Sequence, residues 1–163
     1  MKKLLLFFIL FYLLGCSSHL NKSKESTFID CPRVFFSSEN SVFASGENEE
    51  FDLSKVNYKA SLNNYGFAGN CLSNQDNNQY SIDVLMLVDP INPKNEKISL
   101  PIFALIYDNK NTIIERQYFR IEDKIEYDEL NNFILTEVIG SLQILVNNET
   151  DVSSITIGFV KIK

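Results

Sequence analysis

An all-β fold, built as an antiparallel β-sandwich with a small β-barrel as the alternative, is what this sequence predicts. Three observations carry that expectation. In "SKVNYKASLN" Val56, Tyr58, Ala60 and Leu62 fall on one face while Lys55, Asn57, Lys59 and Ser61 fall on the other. That two-residue period belongs to a strand with one face in the core and one in water. Short apolar runs rich in β-branched and aromatic residues then recur, separated by Asn-, Asp- and Gly-containing turns, the spacing expected of a two-sheet domain. Finally, no segment holds a long 3.6-residue apolar repeat, so helices have no face to bury.

Taken in order, "FIDCPRVFF" opens the β region, with Pro32 suited to the beginning or edge of a strand. The alternating strand at 54–63 follows. "YGFAGNCLS" comes next, its two glycines marking a bulge or a close approach, and "NQDNNQ" reads as a turn. "YSIDVLMLVD" is a longer and more apolar strand, stopped by "PINPKNEK". "PIFALIYDNKNTIIERQYFRI" predicts a hairpin turning at Asp108–Asn111. Residues 121–130 connect strands, with room for one helical turn. "NNFILTEVI" and "SSITIGFVKI" supply the last strands, and "GSLQILV" a short additional one. Seven to nine strands of this kind suggest an immunoglobulin-like or fibronectin-like sandwich, although the absence of tryptophan removes an antibody-type Cys–Trp–Cys core.

The first fifteen residues stand outside this pattern. Lys2 and Lys3 precede an apolar run, Leu4 to Leu14, that ends at Gly15 and Cys16. It is far shorter than the roughly 20 residues needed to span a bilayer and has the charge and length of a secretory signal peptide. Leu13-Leu14-Gly15-Cys16 resembles the lipobox of bacterial lipoproteins. The resemblance implies diacylglycerol on the Cys16 thiol, cleavage between Gly15 and Cys16, and acylation of the new amine, palmitate being a typical chain. Several acyl chains on one residue make a stable anchor where one alone is reversible. It implies the lipoprotein processing and sorting machinery as partners, and Ser17 favours delivery to the outer membrane. The expected organisation is a removed segment 1–15, a lipidated cysteine and tether 16–27, and one sandwich domain 28–163. His19, the only histidine, falls in that tether.

Without residues 1–15 the charge is (15 − 2) − 21 = −8, which disfavours nucleic acid and anionic lipid as partners. With Cys16 given to lipid, Cys31 and Cys71 remain. In an oxidising exported compartment a disulfide between them is the expected outcome, a reactive or metal-binding pair the rival.

Chemistry-bearing patterns are sparse. A domain without histidine has no Ser-His-Asp or Cys-His scheme and no HExxH zinc site, and no glycine-rich phosphate loop occurs. Glu47, Glu49, Glu50 and Asp52 read as a solvated acidic loop. "DNKN" and "NQDNN" are only fragments of a calcium loop. Aromatic residues such as Phe35, Tyr65, Phe103, Tyr107 and Tyr118 could line a groove, but at strand spacing they read first as core. No catalytic residue, metal or cofactor is expected beyond the covalent lipid.

"CPRVFF" soon after the lipobox and "GFAGNC" some forty residues on resemble a group of uncharacterised alphaproteobacterial lipoproteins. That resemblance implies paired cysteines and a β-domain and carries no catalytic residues. The sequence therefore leads to a non-enzymatic, lipid-anchored envelope protein at the outer membrane, facing the periplasm and meeting a protein partner. A module binding a small molecule or glycan is the alternative, and a carboxylate-based hydrolase of cell-wall glycan a third. Cys16→Ser should abolish fatty-acid labelling in growing cells; label that persists would overturn the lipobox reading.

Overall fold

Alternation sets where each strand's inner row lies. The structure, a computed structural model, describes residues 26–46, 55–130 and 132–161. These form β1 (Thr27–Ile29), β2 (Arg33–Phe36), β3 (Val42–Gly46), β4 (Val56–Phe67), β5 (Cys71–Ser73), β6 (Asn77–Pro90), β7 (Lys97–Tyr107), β8 (Ile113–Lys124), β9 (Thr136–Asn147) and β10 (Ser154–Phe159). There is no α-helix among the described residues. Gly15, Cys16 and His19, and the acidic cluster Glu47 to Asp52, lie outside them.

β6 is the axis of the first sheet. Along one side it pairs with β9 from Asn77↔Asn147 to Val88↔Thr136. Its other side is shared by β4, opposite Ile82 to Pro90, and β5, opposite Asn78 and Gln79. β3 extends the sheet beyond β4 and β1 beyond β5. The second sheet runs β2-β10-β7-β8. Neither sheet closes, so the molecule is a sandwich and not a barrel. All pairings are antiparallel except β2 with β10. That exception follows from the path: the chain crosses from β1 in the first sheet to β2 in the second and back to β3.

The core lies between the inner rows. Tyr80, Ile82, Val84, Met86 and Val88 of β6 face Ile98, Leu100, Ile102, Ala104 and Ile106 of β7, with Leu142 and Ile144 of β9 and Ile155, Ile157 and Phe159 of β10 completing it. Burying a side chain of this size contributes about 1.5–3 kcal/mol, so these rows set the register: a one-residue slip would turn them to water.

Several elements differ from the sequence reading. The sequence pattern does not mark β3, because "VFASG" is short and three of its five residues are small. The "NQDNNQ" turn ends early, since Asn74 Oδ1 accepts the backbone N–H groups of Asp76 and Asn77 and lets β6 begin at Asn77. "YGFAGNCLS" is divided between β4 and β5 at Gly69, whose φ of 115° belongs to glycine. The two runs around Gly140 are one strand, β9, starting only at Thr136. A Cβ on Gly140 would lie 2.8 Å from Ile121 Cγ1 and 2.9 Å from Met86 Cε, so neighbouring side chains occupy the space a larger residue would need. Residues 121–124 complete β8 and form no helical turn. The hairpin at Asp108–Asn111 is as expected: Asp108 Oδ1 accepts from Lys110 N and Thr112 N, and Asn111 takes a φ of 61°.

Cys31, in the crossing between β1 and β2, is disulfide-bonded to Cys71 at the start of β5, with Cα atoms 5.4 Å apart. The bond ties the crossing to the first sheet, and buried Pro32 leads directly into β2. Replacing both cysteines by serine should lower the free energy of unfolding by about 4 kcal/mol on the loop-entropy estimate, read as a lower urea midpoint.

Candidate functional site

The two ends of the sandwich differ in chemistry. One end gathers the β1–β2 crossing with the β5–β6, β7–β8 and β9–β10 turns. Here a cleft of about 580 Å³ is bordered by Asp30 and Arg33 on one side and by Glu149 and Asp151 on the other. Its lining includes Asn78 and Tyr80, whose inward positions on β6 bury them to 9% and 2% exposure. Their side chains are hydrogen-bonded to each other, and Asn78 Nδ2 also donates to the Thr150 carbonyl at 3.4 Å. Burial raises the Tyr80 phenol above its ordinary value; the Asn78 bond opposes this and Asp151 reinforces it. Tyr80 is therefore a neutral donor or acceptor and not a base.

The surrounding turns are held by their own side chains. Asn148 Nδ2 donates to the carbonyls of Asn74 and Gln75, at 3.1 and 2.7 Å. Ser153 Oγ donates to the Asp108 carbonyl at 2.6 Å, and Asn109 Nδ2 to Asp151. Asp30, Glu149 and Asp151 are exposed. Among the described residues no group of three or more His, Cys, Asp or Glu side chains could hold a metal ion. The "DNKN" and "NQDNN" segments use their side chains to cap their own turns. This cleft can hold a polar molecule by hydrogen bonds, with Asn78 Nδ2 already donating to the Thr150 carbonyl.

The opposite end carries an apolar projection. The connection from β8 to β9 is a short hairpin closed by an isolated bridge between Tyr127 and Phe133, whose rings pack at a tilt of 34° with centroids 4.8 Å apart. Leu130 at its tip is 81% exposed, Leu135 is 54% exposed, and Phe133 and Ile134 stand out of the surface with them. These exposed apolar side chains are grouped on one short connection, where surface apolar residues are ordinarily scattered singly.

Local bonds fix the projection. The base is held by buried Ile125, whose N–H donates to Glu96 O at 2.7 Å, and by Glu126 N donating to Thr136 Oγ1 at 2.9 Å. Asp128 accepts from Leu130 N and Asn132 N through Oδ1, at 2.9 and 2.7 Å, and from Asn132 Nδ2 through Oδ2. These bonds, Asn132's first, hold the Asp128 carboxyl below its ordinary 3.8. Tyr127 is raised above its ordinary value by desolvation first, then by hydrogen bonding and proximity to Glu96. Six acids (Glu122, Asp123, Glu126, Asp128, Glu129 and Glu137) and one lysine, Lys124, fall within 122–137.

Of the residues singled out from sequence, Cys31 and Cys71 meet as a disulfide at the cleft border. Phe36, Phe43, Tyr58, Phe67 and Phe119 pack on or in the core, whereas Phe35, Tyr65 and Tyr118 are exposed and Phe103 and Tyr107 are half-buried on the outer side of β7, so the expected core placement fails for these five. The sequence reading gives "NNFIL" to a strand, whereas β9 begins only at Thr136; the unalternated "FIL" after an acidic stretch is the one local signal of the hairpin. Comparison with protein families, curated proteins and solved structures finds no match to this chain.

The depressed Asp128 value fixes a pH dependence. Its folded value lies below the unfolded one, so its contribution to hairpin order is complete above the unfolded value and is lost as pH falls through the folded value. Amide exchange at Leu130 and Asn132, corrected for intrinsic rates, should therefore accelerate below about pH 3.8 in the wild type. In Asp128→Ala it should be fast at every pH.

Proposed function

We propose that this chain is a non-enzymatic, lipid-anchored envelope lipoprotein that uses the hairpin between β8 and β9 to dock a protein partner. The lipobox resemblance supplies the anchor on Cys16, and Ser17 after it favours the outer membrane; a periplasm-facing domain is part of the proposal. The single observation carrying the docking role is the exposed apolar hairpin, held by the hydrogen bonds of Asp128, Thr136 and Ile125. A binding surface ordered beforehand loses less conformational freedom on association than a flexible one, and exposed Leu130, Phe133, Ile134 and Leu135 are suited to filling a partner's pocket.

Position supports the same reading. β1 begins at Thr27, opposite Ser73 and thus level with Asn78. The hairpin joins β9 at Thr136, opposite Val88. About ten residues of β6 separate those levels, some 33 Å at strand rise. The apolar projection therefore lies at the end of the sandwich remote from where the anchored segment joins it. Its many carboxylates oppose an anionic lipid surface and favour a protein socket rimmed by lysine or arginine.

A carboxylate hydrolase is the weaker reading. The cleft acids are exposed, whereas a general acid is commonly built by enclosing a carboxyl in apolar surroundings. A photo-crosslinker at position 130 in intact cells should capture one recurrent protein, and a crosslinker at position 59 on β4 should not. Phe133→Asp should reduce the capture at least tenfold while leaving thermal stability near wild type; unchanged capture would reject the hairpin as the docking element.

A further inference from the structure

The outer face of the second sheet collects all the arginines of the chain. The protein has twelve lysines but only three arginines, Arg33, Arg116 and Arg120. Register puts each on the side of β2-β10-β7-β8 that faces away from the core. Arg116 and Arg120 stand opposite Leu105 and Pro101 of β7, and Arg33 opposite Ser154 of β10. The residues alternating with them, Val34, Phe119 and Ile121, turn inward to the core. On the same side stand Phe35, next to Arg33 on β2 and 51% exposed, and Tyr118, between Arg116 and Arg120 on β8 and 66% exposed, and half-buried Thr156 and Ser154 offer hydroxyls.

The face is broad and shallow. Phe35, Thr156, Leu105 and Arg116 form one row across four strands, about 14 Å at the ~4.8 Å strand spacing. Arg116 and Arg120 are about 14 Å apart along β8 at strand rise. Phe103 lies across Gly158, where an added Cβ would be 2.5 Å from Phe103 Cζ, so that ring fills the sheet's centre and leaves it level. Glu122 is the one acid that register places on this outer side, in a chain of net charge −6.

We infer that this face binds an acidic glycan, a chain of sugar rings bearing carboxylates. Charge complementarity selects an anion, and arginine in a lysine-rich protein favours planar, bidentate acceptors such as carboxylate. Exposed aromatic rings suit the apolar faces of sugars, and the serine and threonine hydroxyls suit their edges. A level surface with separated contacts suits an extended polymer; a small molecule would be enclosed in a pocket. The inference is independent of the hairpin, which lies on the β8–β9 connection.

The test uses the full chain in detergent micelles and measures binding to polygalacturonate, to neutral dextran and to polyglutamate. Polygalacturonate should bind at least tenfold more tightly than either of the others, and more weakly as salt rises. Arg116→Gln and Arg120→Gln should each weaken it about tenfold, and Arg116→Lys nearly as much, because lysine keeps the charge but loses the fork. Tyr118→Ala and Phe35→Ala should weaken it several-fold, with Lys59→Gln on the other sheet as an unaffected control. All these side chains are exposed, so thermal melts should match wild type. Equal affinity for polyglutamate would overturn the glycan assignment in favour of an acidic polypeptide; equal affinity for dextran, or no binding of polygalacturonate, would overturn the role of the arginines.

Discussion

The packing of β6 against β7 is the constraint on which the rest of the structure depends. Each strand turns an unbroken row of apolar side chains inward, and the residues between them are half-buried because neighbours flank both strands. With β6 and β7 in consecutive positions in two different sheets, the short loop at Ile91–Glu96 must cross the sandwich. β9 then has one open side of β6 to occupy and β10 one open side of β7. The remaining strands fill the margins of a frame that these two have set.

Margins are where this protein places its polar and exposed features. The β1–β2 crossing runs along one side of the sandwich and would be weakly held by three- and four-residue strands alone. Its attachment to β5 through the Cys31–Cys71 bond compensates for that short pairing. The same crossing provides Asp30 to the cleft and leads into Arg33 at the start of β2, so the disulfide also shapes the polar end. At the other end the β8–β9 connection is longer than a turn requires, and Asp128, Thr136 and Ile125 order it. Apolar side chains could not stay exposed in a fixed arrangement without these bonds, because their own burial would pull the loop onto the surface.

The two sheets differ on their outer faces as well. β4, β6 and β9 turn Lys59, Asp83 and Ser141 outward, an ordinary mixed surface in which Ser141 Oγ donates to Asp83. The second sheet turns out arginine and aromatic residues instead. A strand pattern records only that these positions face water; the pairing of β2 with β10, and of β7 with β8, makes one surface of residues far apart in the chain.

Alternation at 56–62 and the long apolar runs at 80–89 and 101–107 made the all-β class legible in sequence, because a two-residue period has one structural solution. The cysteine count made the Cys31–Cys71 pairing legible too, once an oxidising compartment was inferred from the leader. Tertiary structure alone decided the parallel placement of β2 beside β10, the merging of two runs into β9 across Gly140, and the existence of β3. Each depends on side chains brought from elsewhere, as Ile121 and Met86 are at Gly140. The apolar hairpin and the arginine face belong to this second class, since exposure is a property of what fails to cover a residue, and a local pattern carries no record of that.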